Sequence, residues 1–127
     1  MVSKRFDYEY IVIGGGTAGI SAALQLANAG RKVAIVEQDR WGGSGLNYTD
    51  VPMGAALQFS HLYARAIAGS KFGISSANLR YNYPSVQHWR DFAVTRTGGN
   101  STKELEAAGV TCIHGKAHFT GVSDLAV

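Results

Sequence analysis

The sequence is short of the residues that several function classes need. Its single cysteine, Cys112, permits no internal disulfide, in keeping with a reducing compartment. It has no basic cluster either. The net charge is only +3, and Lys4, Arg5, Arg31, Lys32, Arg40, Arg65, Lys71, Arg80, Arg90 and Arg96 are dispersed along the chain. That spacing excludes the electrostatic footprint of a nucleic-acid binder. There is no membrane-length apolar run. Tyr10 to Gly30 is uncharged, but a triple glycine interrupts it, and Asp7 and Glu9 remove the positive flank of a signal peptide. His88, His114 and His118 lack metal-ligand spacing with a cysteine or carboxylate cluster, so no metal site is assigned. No internal repeat or low-complexity tract is present. What remains is one soluble, cytoplasmic domain over 1–127, without nucleic-acid or membrane partners.

What the chain does have is glycine, 16 residues of it. Three stand together in Tyr10-Ile11-Val12-Ile13-Gly14-Gly15-Gly16-Thr17-Ala18-Gly19. Ile11 to Ile13 read as a buried strand. A helix follows over Ile20 to Ala29 with Gly30 at its C-terminal cap, then a second parallel strand, Val33 to Val36, ending on Glu37. That order holds the diphosphate and ribose of a dinucleotide. Gly14 turns the chain off the strand, and Gly16, without a Cβ, admits a pyrophosphate close to backbone amides. Gly19, one turn before Ala23, lets helix and strand pack closely. The free amides and dipole at the helix start favour an anion. Glu37 is placed to accept hydrogen bonds from both ribose hydroxyls and to repel a 2′-phosphate.

Beyond Glu37, Gln38 to Asn47 reads as a glycine-rich loop. Pro52 suits the first turn of a helix over Met53 to Ala68. Leu57, His61, Leu62 and Arg65 on it have helical spacing, which predicts one face packed on the sheet, with His61 as a packing residue. Asn82-Tyr83-Pro84 marks a loop before a helix over Ser85 to Arg96. Ser101 and Glu104 form a capping box for a last helix ending at Gly109. Val110 to His114 is a buried strand in which Cys112 is a small core hydrophobe, and the segment through Phe119 is expected to turn back as a hairpin. Trp41 shields a cofactor or covers the domain edge; the sequence does not separate the two.

With these residues in place, the chain resembles the FAD-dependent pyridine nucleotide-disulfide oxidoreductases, which include lipoamide dehydrogenase, glutathione reductase, mercuric reductase and soluble transhydrogenase. The family's extended fingerprint GxGxxGxxxAxxxxxxG stands here as Gly14, Gly16, Gly19, Ala23 and Gly30. Its block GGTCxNxGCxPSK stands as Gly42 to Gly54, and Gln87-His88-Trp89 with Glu106 to Phe119 resemble the helix and strand that precede the family's ATG-containing strand. The resemblance covers about residues 6 to 120. It implies an α/β, Rossmann-like FAD/NAD(P)-binding βαβ domain with a mostly parallel sheet, incomplete at its C-terminus. It also implies an FAD site: Gly14, Gly16, Thr17, Ala18, Gly19, Glu37, Gln38, Gly43 and Ser44 toward ADP, with Lys116 and Ala117 giving backbone contacts near the adenine.

The departures are as informative. Counting back from Pro52, the family's two redox cysteines fall on Gly45 and Asp50, and its flavin-side lysine falls on Gly54. A dithiol relay needs two thiols within bonding reach, and a glycine and an aspartate supply neither. Asp50 either brings negative charge toward the flavin, lowering its potential, or satisfies free amides at the helix start. No catalytic residue is assigned. The implied function is the FAD-binding portion of a longer oxidoreductase, a homodimer in the parent. That parent passes hydride from NAD(P)H, bound in a domain not present here, through FAD to a quinone, another nicotinamide or oxygen. Two other readings stay open: a non-catalytic nucleotide-binding module, and an NAD-binding Rossmann domain of another oxidoreductase class.

Overall fold

The computed structural model describes residues 6–98 and 101–127. It opens with strand β1 (Tyr10–Ile13), helix α1 (Thr17–Asn28) and strand β2 (Val33–Glu37). Strand β2 is buried along its whole length, as a strand covered by helices should be. Strand β1, expected to be buried, instead leaves Ile11 and Ile13 43% and 51% exposed, and the strand expected over 110–114 is exposed at Thr111 and His114. Gly30, at φ +75°, ends α1 as its position in the sequence predicts. The helix starts three residues earlier than its apolar periodicity suggests, at Thr17, because Gly16 in extended conformation serves as its N-cap.

Strand β3 (Thr111–His114) completes a parallel sheet in the order β1-β2-β3. Its register pairs Ile35 with Cys112 and Glu37 with His114. The core lies between the sheet and the helices α1 and α5 (Ser101–Ala107): Ala23, Val33, Ile35, Leu105 and Val110 are buried, with Val12, Leu24, Trp41 and Cys112 packed around them. Full burial of a side chain such as Ile35 contributes about 1.5–3 kcal/mol. Cys112 is half-buried there; burial pushes its thiol pKa up, and the negative charge of Glu106 adds to the shift.

Between β2 and β3 the chain leaves the sheet and builds a helical layer. The expected loop over 38–47 contains a short helix, α2 (Gly43–Asn47), and α3 (Asp50–Ala68) and α4 (Tyr83–Gly98) follow. Asn82 caps α4, its side-chain oxygen accepting the Ser85 amide at 3.0 Å, so Tyr83 and Pro84 join the first turn rather than the loop. Helix α3 packs on α2 and α4 rather than on the sheet, and the face expected inward is the outer one: Leu57, His61, Leu62 and Arg65 are exposed. Phe59, Tyr63 and Tyr81 make edge and stacked ring contacts that hold this layer together.

The hairpin is displaced as well. β3 is committed to its parallel partner, and the antiparallel pair is β4 (His118–Phe119) with β5 (Leu125–Ala126). Ser101 opens α5, its hydroxyl donating to the Gly98 carbonyl at 3.4 Å; the residue that would cap it lies outside the described residues. No helix among the described residues is long and apolar enough to cross a membrane.

Candidate functional site

The glycine turn after β1 is stitched to the end of β2 by two short hydrogen bonds. The Gly14 amide donates to the Val36 carbonyl at 2.8 Å, and the Gly15 amide donates to Glu37 Oε2 at 2.6 Å. The other carboxylate oxygen of Glu37 accepts the Asp39 amide at 2.8 Å. Gly14 sits at φ +103°, open only to glycine without strain. A Cβ at Gly19 would overlap the Gly14 carbonyl, so α1 meets the turn with no room to spare, as the fingerprint requires. Glu37 is thus a strut as well as a candidate ribose acceptor, a use the sequence did not disclose.

A second layer closes on this turn from the loop after β2. The Gly42 amide donates to the Gly15 carbonyl at 2.7 Å, and Gly16 and Gly42 form an isolated parallel bridge. A Cβ at Gly43 would come within 2.8 Å of Gly16 Cα, so the starts of α1 and α2 meet backbone to backbone. Trp41 lies over Gly15, where a Cβ would fall 2.7 Å from its ring, and it packs against the core. Its ring therefore roofs the turn. The first turn of α1 carries no acidic residue and no side-chain cap, so the amides of Thr17, Ala18 and Gly19 have no side chain competing for them.

Three residues missed by sequence reasoning brace this region. Tyr48 donates its hydroxyl to Asp39 Oδ2 at 2.8 Å; that hydrogen bond, with desolvation and the Asp39 charge, pushes the phenol pKa up against the pull of Arg40. His114 Nε2 lies 3.0 Å from the Asp39 carbonyl oxygen, tying the end of β3 to the loop after Glu37. The signal for His114 was its place at the carboxyl end of a strand beside β2. Asp39 and Tyr48 carried none, since their pairing depends on how the loop folds back.

At the carboxyl end of the sheet lies a cavity of about 170 Å³, lined by Ile13, Gly14, Val36, Glu37, Gln38, Gly115, Lys116 and Ala117. It collects Gly14, Glu37, Gln38, Lys116 and Ala117 from three separate stretches of sequence. The remaining candidates, Gly16, Thr17, Ala18, Gly19, Gly43 and Ser44, stand at the meeting helix starts, and Ser44 is exposed.

The profile of the FAD dependent oxidoreductase family matches residues 9–115, the greater part of the chain. The chain belongs to that family. FAD is the cofactor that membership assigns, rather than NAD alone. Among relatives, dihydrolipoyl dehydrogenase of Geobacillus stearothermophilus is 32% identical over 121 residues, spanning 95% of this chain and 26% of that protein. Glutathione reductase of Schizosaccharomyces pombe is 32% identical over 128 residues, 99% of this chain and 27% of the relative. The chain thus spans about a quarter of the length of the curated relatives it matches. The fold agrees with that of a mutant of the HOCl-induced flavoprotein disulfide reductase RclA from Escherichia coli, solved as a Cu(II) complex: TM-score 0.76 at 21% identity, over 95% of this chain and 24% of that one.

Within an FAD dependent oxidoreductase, the positions aligned with the redox cysteines repay inspection. A Cβ at Gly45 would lie 2.9 Å from Asp50 Oδ2 and 3.7 Å from its Cγ, so the two positions face each other. Asp50 is the first residue of α3 and accepts the Thr49 hydroxyl at 3.3 Å, while the N-cap Thr49 makes no side-chain cap bond. Its charge suits the positive end of the helix. The residues present fit the ADP half of FAD: an open approach at Gly16, uncapped amides, and a cavity rimmed by an acid.

Proposed function

We propose that the chain is the FAD-binding portion of a longer pyridine nucleotide oxidoreductase whose final electron acceptor is not a disulfide. The observation that carries this reading is the facing pair Gly45 and Asp50, a dithiol site by position with neither thiol. When bound, FAD supplies the hydride-accepting chemistry that NAD(P)H and an acceptor such as a quinone, a second nicotinamide or oxygen require.

The chain's own residues bind and orient. The amides of Thr17, Ala18 and Gly19 receive the diphosphate at the start of α1, with Gly16 giving clearance and Gly43 and Ser44 facing it from α2. Glu37 accepts the ribose hydroxyls while its bonds to Gly15 and Asp39 hold its carboxylate in place. Gln38, Lys116 and Ala117 flank the adenine in the cavity.

A second reading has support of its own: all eleven candidate residues belong to the ADP half, which suits a nucleotide-binding module without turnover. One pair of measurements separates the two. The visible spectrum after incubation with FAD and desalting reports retained flavin; calorimetry with ADP reports the half-site. Gly16→Val makes the control, because a Cβ there meets nothing nearer than Gly43 Cα at 3.9 Å. With its fold checked by circular dichroism, the variant should lose both ligands. Retained flavin in the parent chain supports the oxidoreductase portion; ADP without flavin supports the module. Unimpaired ADP binding by Gly16→Val overturns the site.

A further inference from the structure

Gly15 is the middle residue of the triple glycine, and the fingerprint gives it no task. In the fold it is buried and held on three sides. Its amide donates to Glu37 Oε2 at 2.6 Å, and its carbonyl accepts the Gly42 amide at 2.7 Å. On the side where a side chain would stand, a Cβ would lie 2.7 Å from Trp41 Cε3, 3.0 Å from Trp41 Cζ3 and 2.9 Å from Glu37 Cβ. The six-membered ring of the indole and the stem of the acid therefore meet at Gly15, with no room for a methyl between them. Trp41 is itself fixed from two directions. Its ring packs against the core, and its carbonyl accepts the Asn47 side-chain amide at 3.1 Å. The wall of the adenine cavity contains Glu37 and not Trp41, so any effect of the ring on a ligand passes through the acid.

We infer that Trp41 is a positioning residue for the adenosine ribose, acting through Gly15 and Glu37. This role rests on the ADP site proposed above. A carboxylate offers about four acceptor sites, two on each oxygen. Oε2 takes the Gly15 amide and Oε1 takes the Asp39 amide, which leaves each oxygen one site for a ribose hydroxyl. Those two sites face the ribose together only while the carboxylate keeps one rotation. The bond to Gly15 sets that rotation. Glu37 is only 9% exposed, and the indole keeps water from competing for the Gly15 amide. An acceptor already held in place loses less freedom on binding than one that rotates. Trp41 thus turns a buried acid into an oriented pair of acceptors without touching the ligand.

Calorimetry of the 127-residue chain with ADP and with 2′-deoxy-ADP tests this role. The unsubstituted chain is expected to prefer ADP by about tenfold or more, the worth of one hydrogen bond to a charged acceptor. Trp41→Ala should cut that preference to about threefold or less, and Trp41→Phe, whose ring reaches less far, should fall between. A ring that served packing alone would weaken both ligands by the same factor. An unchanged preference in Trp41→Ala therefore overturns the inference and leaves the ADP site standing. No ADP binding by the unsubstituted chain overturns both. Equal binding of the two nucleotides by that chain removes the ribose contact and this role with it. If Trp41→Ala fails to fold, Trp41→Phe decides: a preference below that of the unsubstituted chain supports the role, and one equal to it overturns it.

Discussion

Replacing Glu37 with alanine separates the two tasks this residue performs. The substitution removes the acceptor of two amides, Gly15 at 2.6 Å and Asp39 at 2.8 Å. Gly15 is buried under Trp41, so its amide is stranded without water, at a cost of about 2–3 kcal/mol. The Asp39 amide is nearer the surface and recovers a water, a loss of about 0.5–1 kcal/mol. Together the loss is about 3 kcal/mol, from a total of about 6–19 kcal/mol expected for a chain of this length. That corresponds to a fall of about 10 °C in Tm. Glu37→Gln keeps one acceptor oxygen for Gly15 and loses about half as much. Urea unfolding followed by circular dichroism measures both variants, and ADP calorimetry on the folded fraction then reads the binding loss by itself. If Glu37→Ala unfolds within about 0.5 kcal/mol of the parent, below the usual worth of one hydrogen bond, the strut does not exist. Equal losses for alanine and glutamine would also refute the reasoning.

Gly19→Ala drives a methyl into the Gly14 carbonyl, and we expect a loss of at least about 2 kcal/mol with the strand–helix angle disturbed. An unchanged urea midpoint would show that the turn relaxes freely. Cys112 alkylation by iodoacetamide should rise only above the ordinary thiol range, since burial and Glu106 favour the neutral thiol, and Glu106→Gln should move the inflection down. The stability linked to that neutral thiol is present below its unfolded pKa and fades as pH rises past the folded one. An inflection at or below the ordinary thiol value contradicts this. Tyr48 should titrate above the ordinary phenol value at 295 nm and return toward it in Asp39→Asn, which removes the charge it donates to; no change in that variant would refute the pairing.

The glycine turn of the candidate site was legible because its logic is local. Gly14, Gly16, Gly19, Ala23 and Gly30 act within one strand–turn–helix, and their spacing alone places them. Glu37 was found for its carboxylate but not for its bonds to Gly15 and Asp39, since a hydrogen bond between residues 22 apart leaves no periodic mark. Lys116 and Ala117 came from resemblance, and the parallel β2–β3 pairing is what carries them to Gln38. The packing of α3 was misjudged because apolar residues at helical spacing mark a stripe without saying whether it is the covered one, and here Leu57 and Leu62 stand exposed. The covering element, α4, lies beyond a segment of 14 residues with no long-range signature of its own. The hairpin was placed one strand early because a β-rich run reads alike whether its partner is parallel or antiparallel.

The helical excursion between β2 and β3 has a consequence for how the chain folds. β1 and β2 pair across 23 residues, Tyr10 with Val33, whereas β2 and β3 pair across 77, Ala34 with Thr111. Closing the longer loop costs only about 1 kcal/mol more in chain entropy, because the cost grows with the logarithm of length. Its effect falls on time rather than on stability. The β1-α1-β2 unit, with the glycine turn and Glu37, is available to form early, and β3 arrives as a late, slow step. Until then Val36 and Ile35 lack one neighbour, and the side of the cavity lined by Gly115, Lys116 and Ala117 is unmade. The excursion can lengthen or shorten with little thermodynamic penalty, which leaves α3 and α4 the part of this fold freest to diverge.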